Sequence, residues 1–393
     1  MPVINRFAEL HDEIVAWRRD YHRHPELLYD VHRTAADVAE KLRAFGFDEV
    51  VEGIGRTGVV GVLNGKSEGA GRASGRVVGL RADMDALPIA EETGKPWASE
   101  TPGKMHACGH DGHTAMLLGA ARYLSETRRF HGKAVFIFQP AEEGGAGGRA
   151  MVEDGMMDRF GVEEVYGMHN MPGLPVGHFA IRTGPIMAAT DMFTIDIDGQ
   201  GGHAAQPHRT IDPIVTASAI VQSVQSIVAR NVDPLGSAVA SVTTIHAGDA
   251  FNVIPQRAKL TGTARSLDPL VRDLVERRLR EVVQNVAAAY GATAHFHYSR
   301  NYPVTVNHPD QTEKAAAIAR DVAGEAHVEP DHPPVMGGED FSFMLEARPG
   351  AFIFVGNGDT AGLHHPAYDF NDTAIAYGSS YWARLVETLM PAA

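Results

Sequence analysis

Ala134-Val135-Phe136-Ile137-Phe138-Gln139-Pro140-Ala141-Glu142-Glu143-Gly144-Gly145 decides how this chain of 393 residues is read. The compact apolar run, bounded by Gly132 and Pro140, reads as a buried strand, and it delivers two carboxylates into a glycine-rich turn. Runs of the same character stand at Val59–Leu63, Val77–Leu80, Val165–Met168 and Ala351–Val355. Between them, apolar residues three and four apart predict helices over Phe7–Trp17, Ala35–Phe45, His113–Leu124 and 310–324, with a last helix from Asp372. A Gly/Ser/Ala-rich stretch at 65–75 reads as a flexible loop. Strands alternating with helices predict an α/β fold, a largely parallel mixed sheet flanked by helices, whose ligands gather at the carboxyl ends of the strands. Asp83 and Asp85, Glu142 and Glu143, and His169 each follow such a run.

From about Met187 the pattern changes. An alternating strand (Met192–Asp198) is followed by a helix over 211–230, strands near 238–246 and 258–266, a helix over 268–290 and a strand near 292–298. That unit is large enough to be a separate smaller α+β domain. Because the 351–355 run and the histidines at 364–365 resemble the first part in character, the expected organisation is an insertion: 1–186 with 301–393 as one domain, 187–300 as the other.

Composition narrows the function classes. At this length two domains are the starting expectation, and 44% hydrophobic with 21% charged residues fits a globular protein. With 35 Lys and Arg against 49 Asp and Glu the net charge is −14, and no basic run forms a stripe, which argues against nucleic acid and anionic membrane as partners. Neither a signal peptide nor a transmembrane stretch is visible, so a cytoplasmic location is expected. The single cysteine excludes an intrachain disulfide and leaves Cys108 as a buried thiol, a nucleophile or a metal ligand.

The densest polar cluster, His106-Ala107-Cys108-Gly109-His110-Asp111-Gly112-His113, combines thiolate and imidazole, the ligand set that suits zinc and similar divalent ions. Glu142 and Glu143 are adjacent at a strand end and point in different directions, so one can bind metal while the other acts on water. His169 and the pair His364-His365 add imidazoles, while Asp83 and Asp85 act as ligands or orient a histidine from behind. One thiolate, several imidazoles and a carboxylate are too many for one tetrahedral site and suit two metals roughly 3.5–4 Å apart.

With these residues in place the sequence resembles the metal-dependent aminoacylase and carboxypeptidase family, in its branch containing hippurate hydrolase and the indole-acetyl-amino acid hydrolases. The resemblance rests on Arg81–Ile89, His106–His113, Gln139–Glu143, Gly167–Asn170, Gly201–Ala205, Gly337–Phe341 and Leu363–Pro366, in that order along nearly the whole chain. It implies hydrolysis of the amide bond of N-acyl amino acids, with Glu142 as catalytic base. It also implies two divalent ions (zinc, manganese, cobalt or nickel) held by Cys108, His110, Glu143, His169 and the C-terminal histidine, where His364 aligns better than His365. Asp83 matches an acidic residue that supports a metal-side group. Many relatives have His-x-Asp where this chain has Arg81-Ala82-Asp83, so His110 stands in for that histidine, and Cys108 stands where relatives place a bridging Asp. The inserted domain resembles a lid that also mediates dimerisation, which implies a homodimer or homotetramer. There His203 matches a residue that polarises the scissile carbonyl, and Asn252 and Arg265 match groups that grip the substrate's carboxylate.

Three other readings compete. A Cys108 nucleophile activated by His110 needs no metal but leaves Glu142, Glu143 and His169 without a role. A binding protein has no use for a base beside the ligands. Within the hydrolases, a carboxypeptidase or dipeptidase acting on free peptides is the runner-up.

Overall fold

A computed structural model describes residues 3–66 and 75–392, so most of the stretch read as a flexible loop at 65–75 lies outside the described residues. The chain divides into two compact units, one of 1–186, 306–333 and 340–393, the other of 187–305 with 334–339.

The large unit is organised by an eight-stranded sheet. Its first elements are helix α1 (Arg6–Arg23), helix α2 (His32–Ala44), and strands β1 (Glu49–Ile54), β2 (Gly58–Asn64) and β3 (Val77–Asp83). Helix α3 (His110–Thr127), strand β4 (Lys133–Gln139) and strand β5 (Glu164–Pro172) follow. The spatial order is β1-β2-β4-β3-β5, then Gly350–Gly358, Phe179–Ala180 and Val328–Glu329. Strands β4, β3, β5 and 350–358 run parallel, whereas β1 and β2 join antiparallel at one side and 179–180 pairs antiparallel with 350–358 at the other. The expected sheet is therefore present with antiparallel flanks. The parallel strands are apolar without alternation because helices cover both faces; β4, for example, is buried from Ala134 to Gln139.

Helix α3 buries 13 of its 18 residues, His110, Asp111 and His113 among them, so it is a core helix and not a surface helix with one stripe. It starts three residues earlier than its sequence pattern suggests, because Gly109 supplies a left-handed turn (φ 86°) immediately before His110. A Cβ at position 109 would lie 2.3 Å from the Asn170 Nδ2 and 2.4 Å from the Tyr368 hydroxyl, so only glycine fits.

In the small unit, strands 238–246, 257–266, 189–198 and 293–302 form an antiparallel sheet in that order. Residues of 189–198 alternate between buried and partly exposed, as a sheet covered on one face requires. Helices Pro213–Asn231 and Pro269–Ala289 close a separate core around Ile195, Ile220, Leu260 and Leu279. Both helices begin Asp-Pro: the Asp212 and Asp268 carboxylates accept from the next two free backbone N–H groups, and proline occupies the first turn, where no N–H is needed. Those caps move the helix starts to 213 and 269 from the 211 and 268 read off periodicity.

Candidate active site

Parallel strands aim their carboxyl ends at one edge of the large unit, and the polar residues collect there. Strand β4 ends at Gln139, and the following turn takes left-handed backbone at Ala141 (φ 55°), Gly144 (φ 91°) and Ala146 (φ 55°). Two of these three are not glycine, a conformation that costs about 1–3 kcal/mol each and persists only where the surroundings impose it. Asp85 does so: Oδ1 accepts the Glu142 N–H at 2.9 Å and Oδ2 accepts the Glu143 N–H at 3.1 Å. On the outer side Tyr29 donates its hydroxyl to the Gly145 carbonyl at 2.7 Å. Asp85 thus holds the turn that presents both glutamates, a task that sequence reading left undivided between ligation and orientation. The pairing was invisible in sequence because it joins two strand ends.

The Cys108–His113 segment lies across from that turn. Cys108 Sγ is 3.4 Å from His169 Nε2, while His169 Nδ1 is 2.7 Å from the Asn170 carbonyl. A carbonyl only accepts, so Nδ1 carries the proton and Nε2 presents a bare lone pair towards the sulfur. His364 Nε2 reaches to 3.3 Å from Glu143 Oε1, and His110 Nε2 to 3.9 Å from the same oxygen. His365 accepts the Ala367 N–H on Nδ1, so of the doublet it is His364 that faces Glu143. Donor atoms of Cys108, His110 and His169 lie within 4.8 Å of one another, and so do those of Cys108, Glu143 and His364, and of His110, Glu142 and Glu143.

These donors fit divalent cations. Both ring nitrogens of His110 and Oε1 of Glu143 are buried without a hydrogen-bond partner. His110 Nδ1 faces Asp85 Oδ1 at 3.5 Å, which leaves Nε2 and the Glu143 oxygen as the atoms that an ion would coordinate. The charge balance points the same way, since the carboxylates of Asp83, Asp85 and Glu143 gather round His110 at 3.6, 3.5 and 3.9 Å. Burial pushes the Cys108 thiol well up, and Glu143, Glu142 and Asp83 add to it. Burial together with the neighbouring His113 holds His169 well below its ordinary value, which keeps it neutral. Against the cost of burial, Asp83 and Asp85 raise His110 to about 10. Burial also works against the Glu143 charge, but His364 and His110 hold its carboxyl below the usual range. A thiol surrounded by carboxylates is a poor nucleophile, and its hydrogen-bond partner is the unprotonated Nε2 of His169, with His110 also within 4.8 Å. The electrostatics thus weigh against the Cys108–His110 nucleophile reading, because the surrounding carboxylates disfavour the thiolate it needs.

Asp83 is bonded through both oxygens. Oδ1 is 2.6 Å from His113 Nδ1, and Oδ2 accepts from Arg81 Nη1 at 2.8 Å. Arg81 is fully buried and also reaches Gln139 and Asp340. Where relatives are expected to carry a histidine ligand, this chain has an arginine that neutralises Asp83 from within the strand layer. His113 was quoted in the motif without a role. Its Nε2 accepts the Asn170 N–H at 2.9 Å, and Asn170 Nδ2 donates to the Cys108 carbonyl at 2.6 Å, so Asp83, His113 and Asn170 brace Cys108 and His169 from behind.

In the small unit, His203 and Val253 are register partners in a two-stranded ribbon, and the Ala204 N–H donates to the Asn252 carbonyl at 3.1 Å, so Asn252 lies opposite Ala204, one position along from His203. His203 is exposed, and its Nδ1 accepts the Ala205 N–H at 3.1 Å, leaving the proton of the neutral ring on Nε2, outward. Arg265 sits apart on the sheet, half-buried, donating to the Ala264 carbonyl at 3.0 Å and lining a hollow of about 580 Å³ with Met192, Thr263, His297 and Tyr298.

The sequence matches the profile of peptidase family M20/M25/M40 over residues 79–388. A hippurate hydrolase of Campylobacter jejuni is 42% identical over 98% of both chains. An N-acetylcysteine deacetylase of Bacillus subtilis is 40% identical over 95% of this chain and 96% of its own. A thermostable carboxypeptidase of Saccharolobus solfataricus is 43% identical over 90% of this chain and 88% of its own. Among solved structures, the Bacillus subtilis YXEP protein, a dinuclear metal-binding peptidase of the M20 family, superposes with a TM-score of 0.82 at 35% identity, covering 98% of this chain and 99% of that one.

Proposed function

The chain belongs to peptidase family M20/M25/M40 and is a metal-dependent amidohydrolase, and from that premise we propose that it hydrolyses the amide bond of N-acyl amino acids, hippurate-like or N-acetylated. The observation that carries this reading is the convergence of Cys108, His110, His169, Glu143 and His364 donor atoms at one edge of the sheet, buried except at His364, with Glu142 beside them. Those five residues would hold two divalent ions, of zinc, manganese, cobalt or nickel. When bound, such a pair supplies the Lewis acidity that activates water and polarises the scissile carbonyl.

The remaining chemistry belongs to the chain. Glu142, only 7% exposed and in a turn held by Asp85, takes the proton from the attacking water and returns it to the leaving amine nitrogen. Asp83 acts as a positioning residue, fixing His113 and through it the backbone of Asn170. The outward Nε2–H of His203 is the donor for the carbonyl oxygen as it gains charge. Asn252 and Arg265 take the carboxylate of the amino-acid half. The small unit serves as lid and dimerisation surface, giving a homodimer or homotetramer. Cys108, a buried and unpaired thiol, suits a reducing cytoplasm. No helix among the described residues is long and apolar enough to cross a membrane.

The carboxypeptidase relative keeps cleavage of free peptides as a second reading. Hydrolysis of N-acetyl, N-benzoyl and N-indole-acetyl amino acids beside dipeptides, before and after chelation and with divalent ions restored, separates the two. Metal-restored cleavage of acyl amino acids is expected. Preference for dipeptides moves the assignment to the second reading, and chelator-insensitive cleavage overturns both.

A further inference from the structure

Arg18, on helix α1, is fully buried and does not touch the metal-ligand candidates, yet it joins the two segments that carry them. Its Nε lies 2.9 Å from Asp372 Oδ1 and 3.6 Å from Asp111 Oδ2, and its Nη2 donates to the Phe370 carbonyl at 2.7 Å and to Asp369 Oδ1 at 3.1 Å. Asp111 is the residue after His110, and Asp369 and Phe370 close the loop that begins at His364. His22, one turn further along α1, is 2.8 Å from the same Asp111 oxygen. One permanently charged guanidinium thus pulls the start of helix α3 and the far end of the 364–372 loop towards a common point.

That loop is tied at several points, with Tyr368 donating its hydroxyl to Asn170 Oδ1 at 2.8 Å and the Pro366 carbonyl accepting the Glu92 N–H at 2.8 Å, and Arg18 adds the tie to Asp111. His364 takes left-handed backbone (φ 64°), strained for a residue with a Cβ, and its own anchor to the opposite segment is one hydrogen bond from its N–H to the Ala107 carbonyl at 2.8 Å. Its side chain is about half exposed, so packing does little to keep it facing Glu143.

We propose that Arg18 is a positioning residue of the metal centre: by clasping Asp111 to the 369–372 segment it sets the separation between the Cys108/His110 ligands and His364, and so governs occupancy of the ion on the His364 side. The inference rests on the two-ion reading above. If Arg18 were only an ordinary core ion pair, its removal would lower stability and leave the ion count untouched.

The test titrates metal-stripped whole protein with Zn²⁺ by calorimetry and measures bound zinc by elemental analysis, for wild type, Arg18→Met, Arg18→Lys and Asp369→Asn. The control is Arg128→Met, which removes a clasp of Asp48 and the Asn64 and Gly46 carbonyls at the other end of α3. Arg18→Met should keep one zinc at wild-type affinity and bind the second roughly 10–100-fold more weakly. Arg18→Lys should recover part of that loss, and Arg128→Met should hold both ions at an equal or larger fall in melting temperature. Asp369→Asn, which keeps the Arg18 side chain and the Asp111 contact, should repeat the loss and carries the test if Arg18→Met does not fold. Two zinc ions bound with wild-type affinity in Arg18→Met or Asp369→Asn overturns the proposal. A wild-type protein that takes up fewer than two ions overturns the two-ion reading itself, a result distinct from an Arg18 variant that behaves as wild type.

Discussion

Asp85→Asn tests whether the turn carrying Glu142 and Glu143 is held by the carboxylate behind it. The side chain keeps its size but offers one acceptor where there were two. However the amide is turned, one of the two N–H groups now bonded at 2.9 and 3.1 Å meets an NH2 group instead of an oxygen. A hydrogen bond to a charged group is worth about 1.5–3 kcal/mol, and the N–H left behind adds to the cost. Burial works in the opposite direction: it pushes the Asp85 carboxyl up, so the native state already spends energy to keep it ionised, and the neutral amide recovers part of that. The net loss should be on the order of 1–3 kcal/mol. All three tryptophans, Trp17, Trp97 and Trp382, lie in the large unit, so urea titration followed by their fluorescence reads that unit selectively. A turn released by about 1 Å should lower kcat on the order of 100-fold, because Glu142 then approaches the reacting atoms from the wrong position. Unchanged stability together with unchanged kcat refutes the anchoring argument. A stability loss with unchanged kcat shows that Asp85 supports the turn without setting the position of Glu142.

Glu142→Gln should retain both ions and melt within about 1 °C of wild type while kcat falls about 100- to 10,000-fold, and turnover above a tenth of wild type removes Glu142 as the base. Cys108→Ala should lose metal and activity together, read by elemental analysis beside the rate; full metal content in that variant removes Cys108 as a ligand. His203→Ala should reduce kcat about 100-fold with metal content unchanged, as loss of one oxyanion donor does, and a wild-type rate excludes His203 from the reaction. The last concerns pH. Against the cost of burial, Asp111 and Glu91 raise His22 to about 9, so its protonated form stabilises the fold fully below its ordinary value of 6.5, and that contribution disappears as pH climbs through about 9. Urea stability should therefore drop by about 1–3 kcal/mol between pH 6.5 and 9, less in His22→Gln; an equal drop in the variant means that another group carries it.

Much of the catalytic edge was legible before any coordinates. An apolar run followed by two glutamates, and a cysteine among histidines at the start of a helical pattern, combine a local period with a ligand chemistry, and both are properties of neighbouring residues. The helix starts at His110, Pro213 and Pro269 were misplaced by one to three residues because a left-handed glycine and side-chain caps act at the end of a pattern, where periodicity carries no signal. The short strands Phe179–Ala180 and Val328–Glu329 offered two residues each and no period at all.

What the sequence by itself determined is the inventory: buried strands, a second unit with its own core, and the residue types able to hold divalent ions and move a proton. Only the tertiary structure decided their allegiances. It turned His364 and not His365 towards Glu143, assigned Asp85 to the backbone of Glu142 and Glu143, bonded Asp83 to Arg81 and His113, and set Arg18 between Asp111 and Asp369. Each of these is a contact between segments far apart in the chain, and a short-range polar interaction depends on distance and direction to within a few tenths of an ångström, quantities that exist only once the strands are side by side.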